Sequence, residues 1–113
     1  MSQITTHILD TTLGKPAAGV TIALSAQQAG DTWQELARGT TNQDGRIPDL
    51  LPKEQQLPPG VYKMKFFTQA YFERQGTPNF YPFVEIVFHL SAAEHYHIPL
   101  LLNPFGYSTY RGS

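Results

Sequence analysis

His95-Tyr96-His97-Ile98-Pro99-Leu100-Leu101-Leu102-Asn103-Pro104-Phe105-Gly106-Tyr107-Ser108-Thr109-Tyr110-Arg111-Gly112-Ser113 reads as two strands joined by a tight turn. Pro104 and Gly106 are the turn residues, and the runs on either side favour β structure. Successive side chains of a strand point to opposite faces. Tyr96, Ile98, Leu100 and Leu102 therefore share a face that suits a core, while His95, His97, Pro99 and Leu101 share the other. In the second run Ser108, Tyr110 and Gly112 fall together, with Tyr107, Thr109 and Arg111 opposite. A hairpin of this pattern can place His97 and Tyr110 on one surface, averted from the core. The closing Tyr-Arg-Gly-Ser is expected to be built into the structure.

The size and composition set bounds on the rest. A chain of 113 residues makes one domain, 1–113, with one core. Nine Pro and nine Gly, spread between strand-like runs, favour an all-β sandwich or barrel. Charged residues are only 15% of the chain, which hints at surface covered by partners. The net charge of −1 gives no electrostatic case for nucleic acid or an anionic membrane as partner. No apolar run approaches the roughly 20 residues that span a bilayer. The start, Met1-Ser2-Gln3-Ile4-Thr5-Thr6, lacks the basic and apolar segments of a secretory signal, so a cytoplasmic location is expected. The absence of Cys excludes a disulfide framework, a zinc ribbon and thiol catalysis.

Upstream of the hairpin, residues 3–9 alternate as a strand, with Ile4, Thr6 and Ile8 on one face and Thr5, His7 and Leu9 on the other. Residues 10–19 read as turn. Residues 20–25 and 32–40 read as strands that pair in a hairpin. Asp44-Gly45 is a strong turn pair leading into a short strand that Arg46 begins. A polar, Pro-containing connection over 48–59 follows. Residues 61–68 form a strand with Tyr62, Met64 and Phe66 on one face. A short helix over 69–75 is expected, with Thr68 as N-cap and Gly76 as its stop. Residues 82–89 form another strand. The total is roughly eight strands and one short helix.

Of the four His, namely His7, His89, His95 and His97, those at 7 and 97 sit on faces averted from the core. Each taken alone reads as a surface imidazole. A metal site needs three or four converging ligands, and this pattern lacks the Cys or neighbouring carboxylates to complete one, so no metal and no cofactor are expected. Acid–base chemistry is the third reading, because an imidazole both takes and returns a proton near neutrality. Arg46 is a planar donor able to stabilise an oxyanion, and Arg111 can pair with an acidic group. Nucleophile elbows, phosphate loops and dinucleotide fingerprints are absent.

The closing Tyr110-Arg111-Gly112-Ser113 and the hairpin before it resemble the 5-hydroxyisourate hydrolases, the transthyretin-like (prealbumin-like) enzymes of purine catabolism. The resemblance extends to Thr6-His7-Ile8-Leu9-Asp10, Gly14-Lys15-Pro16-Ala17, Thr41-Asn42-Gln43-Asp44-Gly45-Arg46, Gly60-Val61-Tyr62 and Phe80-Tyr81-Pro82, and so covers essentially the whole chain. It implies a sandwich of two four-stranded sheets with one short helix, assembled as a homotetramer, a dimer of dimers. It implies hydrolytic ring opening of 5-hydroxyisourate to 2-oxo-4-hydroxy-4-carboxy-5-ureidoimidazoline in urate degradation, without metal or cofactor. The catalytic set it implies is His7, Arg46, His97 and Ser113. Substrate binding falls to His7, Arg46, Tyr110, Arg111 and Gly112. His95 is outside the implied set.

Two rivals stand beside this reading. A transthyretin-type carrier of thyroid hormone shares the fold, but the His7, Arg46, His97 and Tyr110 set is polar for a channel holding an aromatic ligand. A carboxypeptidase regulatory-like β-sandwich shares several turn motifs, yet such modules are usually appended to another domain.

Overall fold

A computed structural model describes residues 2–112. Eight strands and one helix follow in the order β1 (Ile4–Asp10), β2 (Lys15–Pro16), β3 (Thr21–Gln27), β4 (Trp33–Thr40), β5 (Gly60–Phe67), α1 (Thr68–Arg74), β6 (Val84–Leu90), β7 (Tyr96–Asn103) and β8 (Gly106–Thr109). They make two four-stranded sheets, β2-β1-β7-β8 and β4-β3-β5-β6. The fold is the expected all-β, transthyretin-like sandwich of two four-stranded sheets with one short helix.

The alternation read from sequence sets the faces. Ile4, Thr6 and Ile8 of β1 are buried, as are Ile98, Leu100 and Leu102 of β7. Tyr62, Met64 and Phe66 of β5 meet them from the other sheet in one cluster with Ile22 and Leu24. Burying a side chain of this size contributes about 1.5–3 kcal/mol. Every second residue of β1 is thereby left on the sheet's outer face.

Among the described residues only one strand pairing is parallel. β1 lies beside β7 in parallel register, Ile4 opposite Tyr96 through Asp10 opposite Leu102. Strands from the two ends of the sequence become neighbours at the centre of a sheet. The β7–β8 hairpin flanks them, with Leu101 opposite Ser108 and Asn103 opposite Gly106.

Three local expectations are corrected. Residues 41–47 form no strand, because the Asn42 side chain takes over the bonding: its Oδ1 accepts the Asp44 and Arg46 N–H groups at 2.9 and 3.2 Å. The eighth strand is instead β2, which lies within the stretch read as turn and pairs Lys15 and Pro16 with the end of β1. Thr68 is the first helical residue and not the cap. Phe67 holds the N-cap position without a side-chain bond, because β5 runs directly into the helix and leaves no turn in which a hydroxyl can fold back. Gly76, at φ 67°, does follow the helix end as expected.

The helix is tied to the first sheet through a buried carboxylate. Tyr71 donates to Asp10 Oδ2 at 2.7 Å, and Asp10 Oδ1 accepts the N–H groups of Thr12 and Leu13 at 3.0 and 3.1 Å. Burial, reinforced by Asp10, pushes the Tyr71 phenol up to about 12. Asp10 thus fixes the end of β1 and, through the strand, the position of His7.

Candidate active site

The parallel register decides which polar groups meet. Thr5 faces His97 across the β1–β7 seam, and His7 faces Pro99 one step further on. The Thr5 hydroxyl lies 2.8 Å from His97 Nδ1 and 2.8 Å from His95 Nε2. The His95 and His97 rings are stacked with centroids 6.3 Å apart.

Arg46 arrives from the loop after β4. Asn42 closes that loop, accepting the Gly45 N–H on its carbonyl at 2.9 Å and donating its own N–H to the Arg46 carbonyl at 2.8 Å. The Gly45 carbonyl then accepts the Ile8 N–H at 3.0 Å, which docks the loop on β1. This close approach needs glycine. Gly45 has φ +72°, and a Cβ there would lie 2.5 Å from the Ile8 carbonyl oxygen. Arg46 is therefore delivered to the residue next to His7.

The electrostatics follow from this neighbourhood. Burial first, and the Arg46 guanidinium second, hold His7 below the ordinary imidazole value, against a smaller opposite pull from Asp44. Burial, then Arg46, His95 and His7, hold His97 low, while the Thr5 backbone pulls the other way. Burial and then Arg46 thus shift both imidazoles toward the unprotonated form, the one that accepts a proton. Among the described residues Arg46 has no carboxylate within ion-pair distance.

Two clefts adjoin the set. His97, Tyr110, Arg111 and Thr109 line one of about 410 Å³, together with residues of β6. Arg46, Thr5, Asn42 and Asp44 line another of about 310 Å³. The Thr5–His97 contact joins the wall of one cleft to the wall of the other. His7 lines neither cleft.

The terminal run divides. Tyr110 is 59% exposed at the mouth of the larger cleft. Arg111 donates to Glu94 Oε1 at 2.7 Å and lies 4.6 Å over the Tyr96 ring, so its guanidinium is engaged with those groups. Gly112 donates its N–H to the His97 carbonyl at 2.9 Å. Ser113 lies outside the described residues. Among the described residues, no three His, Asp or Glu side chains are grouped to hold a metal ion.

Two residues at the seam escaped the reading of the sequence. Parity sets Thr5 on the face of His7 but gives it no role, and the family resemblance leaves His95 outside the implied set. Strand parity puts all of them on outer faces, but the parallel pairing that brings residue 5 to residue 97 has no local sequence signal.

Residues 4–112 match the model of the HIUase/Transthyretin family. A 5-hydroxyisourate hydrolase of Mus musculus is 46% identical over 114 residues, spanning 99% of this chain and 96% of the mouse protein. The structure of Klebsiella pneumoniae 5-hydroxyisourate hydrolase superposes with a TM-score of 0.86 at 40% identity over the whole of both chains. Sea bream transthyretin, solved in complex with thyroxine, superposes at 0.91 with 38% identity, covering 97% of this chain and 94% of its own. Backbone shape alone therefore does not separate the hydrolase from the transthyretin. The chain belongs to the HIUase/Transthyretin family.

Proposed function

We propose that this chain is a 5-hydroxyisourate hydrolase, opening the six-membered ring to give 2-oxo-4-hydroxy-4-carboxy-5-ureidoimidazoline. The relatives that span nearly the whole chain carry this activity in their names. The observation that carries the reading is the parallel β1–β7 register, which sets Thr5 opposite His97 with His7 two residues on, together with the docking of the Arg46 loop on Ile8.

The chemistry follows from those groups. His97, as neutral imidazole, takes a proton from water while the water oxygen bonds to the ring C6 carbonyl carbon. Arg46 donates to the oxygen that becomes an oxyanion, and His7, held neutral, offers a second donor. The intermediate collapses by breaking the C6–N1 bond. The electron pair goes to N1, which receives the proton back from His97. A carboxyl group and a ring-opened N–H result, and the imidazole is restored. Desolvation strengthens each of these interactions.

The same reading includes assembly as a homotetramer. β8 and β6 are edge strands, each paired on one side only. Exposed aromatics gather beside β8: Phe80 packs on Tyr81 at 5.0 Å and Tyr81 on Tyr107 at 5.4 Å, with Phe105 66% exposed. Open strand edges flanked by apolar surface favour association with another chain. The larger cleft opens along this same margin, which supports a site completed at a subunit seam.

The test is to add the protein to urate and urate oxidase and follow the 5-hydroxyisourate absorbance. Accelerated decay is expected, and a decay rate equal to the spontaneous one overturns the reading. The likeness to the thyroxine complex favours a carrier as the second reading. Titration calorimetry with thyroxine separates the two.

A further inference from the structure

We propose that Thr5 and His95 are positioning residues for His97, a hydroxyl-bridged array that fixes which ring nitrogen of His97 is the base; this rests on the hydrolase reading above. The Thr5 hydroxyl touches two ring nitrogens, His97 Nδ1 and His95 Nε2, each at 2.8 Å. A hydroxyl has one proton. When it donates to one nitrogen, the other must donate to it, so the two rings cannot choose their tautomers independently.

The ring geometry selects one arrangement. His97 is rooted on the sheet through Cβ, its Nδ1 is turned to β1, and its Cδ2 edge is turned to Gly112. Nε2 is then the nitrogen directed away from the sheet. Among the described residues Nε2 has no hydrogen-bond partner. A base needs its lone pair on that atom. The proton must then sit on Nδ1, donated to Thr5, while Thr5 donates to His95 Nε2. The array remains intact when His97 takes the proton from water, because Nδ1–H is a donor in both states. The titratable groups acting on His97 are Arg46, His95 and His7, and the partner of its Nδ1 is the Thr5 hydroxyl.

His95 is part-exposed and just outside the strand, so it adjusts to the tautomer that His97 requires. In this arrangement its Nε2 is the acceptor that anchors the Thr5 proton.

Thr5→Val keeps the β-branched shape and removes the hydroxyl, and Thr5→Ser restores it. Thr5→Val is expected to lower kcat by roughly 10–100-fold with KM changed by less than about threefold, a smaller loss than the about 10²–10⁴-fold of a whole acid–base group. Thr5→Ser is expected to recover most of kcat. Imidazole nitrogen NMR of the unliganded protein reads the tautomer without turnover: His97 is expected as Nδ1–H in wild type and Thr5→Ser, and as mixed tautomers in Thr5→Val. His95→Leu, at a part-exposed position, gives a second route and is expected to reduce kcat in the same direction. An unchanged tautomer and kcat in Thr5→Val, or Nε2–H for His97 in wild type, overturns the proposal. A wild-type protein inactive on 5-hydroxyisourate, yet showing the Nδ1–H signature and its loss in Thr5→Val, sinks the hydrolase reading and leaves the array standing.

Discussion

Gly112 lies against the Cδ2 edge of the His97 imidazole. Its N–H donates to the His97 carbonyl at 2.9 Å, and a Cβ built on it would stand 2.6 Å from Cδ2 of the ring. Thr5 holds the opposite edge of the same ring through Nδ1. The imidazole is clamped between two backbone-anchored neighbours, and the chain passing over it must be bare.

Gly112→Ala therefore tests positioning by contact. The added methyl forces the ring off Thr5 or lifts the terminal segment from β7. A displacement near 1 Å costs up to about 10²-fold in rate. Steady-state kinetics on 5-hydroxyisourate should show that loss in kcat, while circular dichroism stays that of a β-sandwich. Wild-type kcat in the alanine variant would mean that the clamp has no catalytic consequence.

His97→Asn removes the proposed base but keeps a group able to hydrogen-bond to Thr5. The expected loss in kcat is about 10²–10⁴-fold. His7→Asn is expected to cost less, because Arg46 still faces the oxyanion when the second donor is gone. Equal and small losses for both variants would transfer the proton chemistry elsewhere.

The depressed imidazoles give the activity a definite response to acid. His7 and His97 are both held below the ordinary value of 6.5, burial being the first cause and Arg46 the second. The working form is neutral, so kcat/KM should hold as pH falls through 6.5 and drop only below it. The stability sign agrees: where the folded protein resists a proton that the unfolded chain accepts, stability is retained above the unfolded value and lost as pH falls through the folded one. Arg46→Met removes a cause of depression from both rings. Their NMR titrations should move upward together, and if neither moves, Arg46 does not act on them.

Much of this was legible in the sequence because burial enforces a period of two. Ile4, Ile8, Ile98 and Leu100 announce the core faces, and His7 and His97 follow onto the outer face by parity. The parallel seam was not legible, since nothing near residue 5 specifies residue 97 as its neighbour. The Arg46 loop was misread for a related reason. Its β-like residues are overruled by the Asn42 side chain and by the docking of Gly45 on Ile8, and the docking is long-range. Thr68 failed as a cap because its backbone continues straight from β5.

That docking yields the last prediction. Gly45 combines a φ of +72° with a Cβ position 2.5 Å from the Ile8 carbonyl oxygen and 3.1 Å from Pro16 Cβ. Gly45→Ala must therefore release the loop from β1, in addition to straining its own backbone. Strain of this kind costs about 1–3 kcal/mol, so chemical denaturation should show a lower midpoint. Arg46 should then lose its place beside the imidazoles, and kcat should fall by more than the stability loss explains, measured well below the melting temperature. Gly76→Ala is the control: it carries a similar φ of +67° with open space around its Cβ. It should reproduce the backbone strain and leave the rate alone. If both variants lower kcat equally, the role assigned to the Gly45–Ile8 contact is wrong.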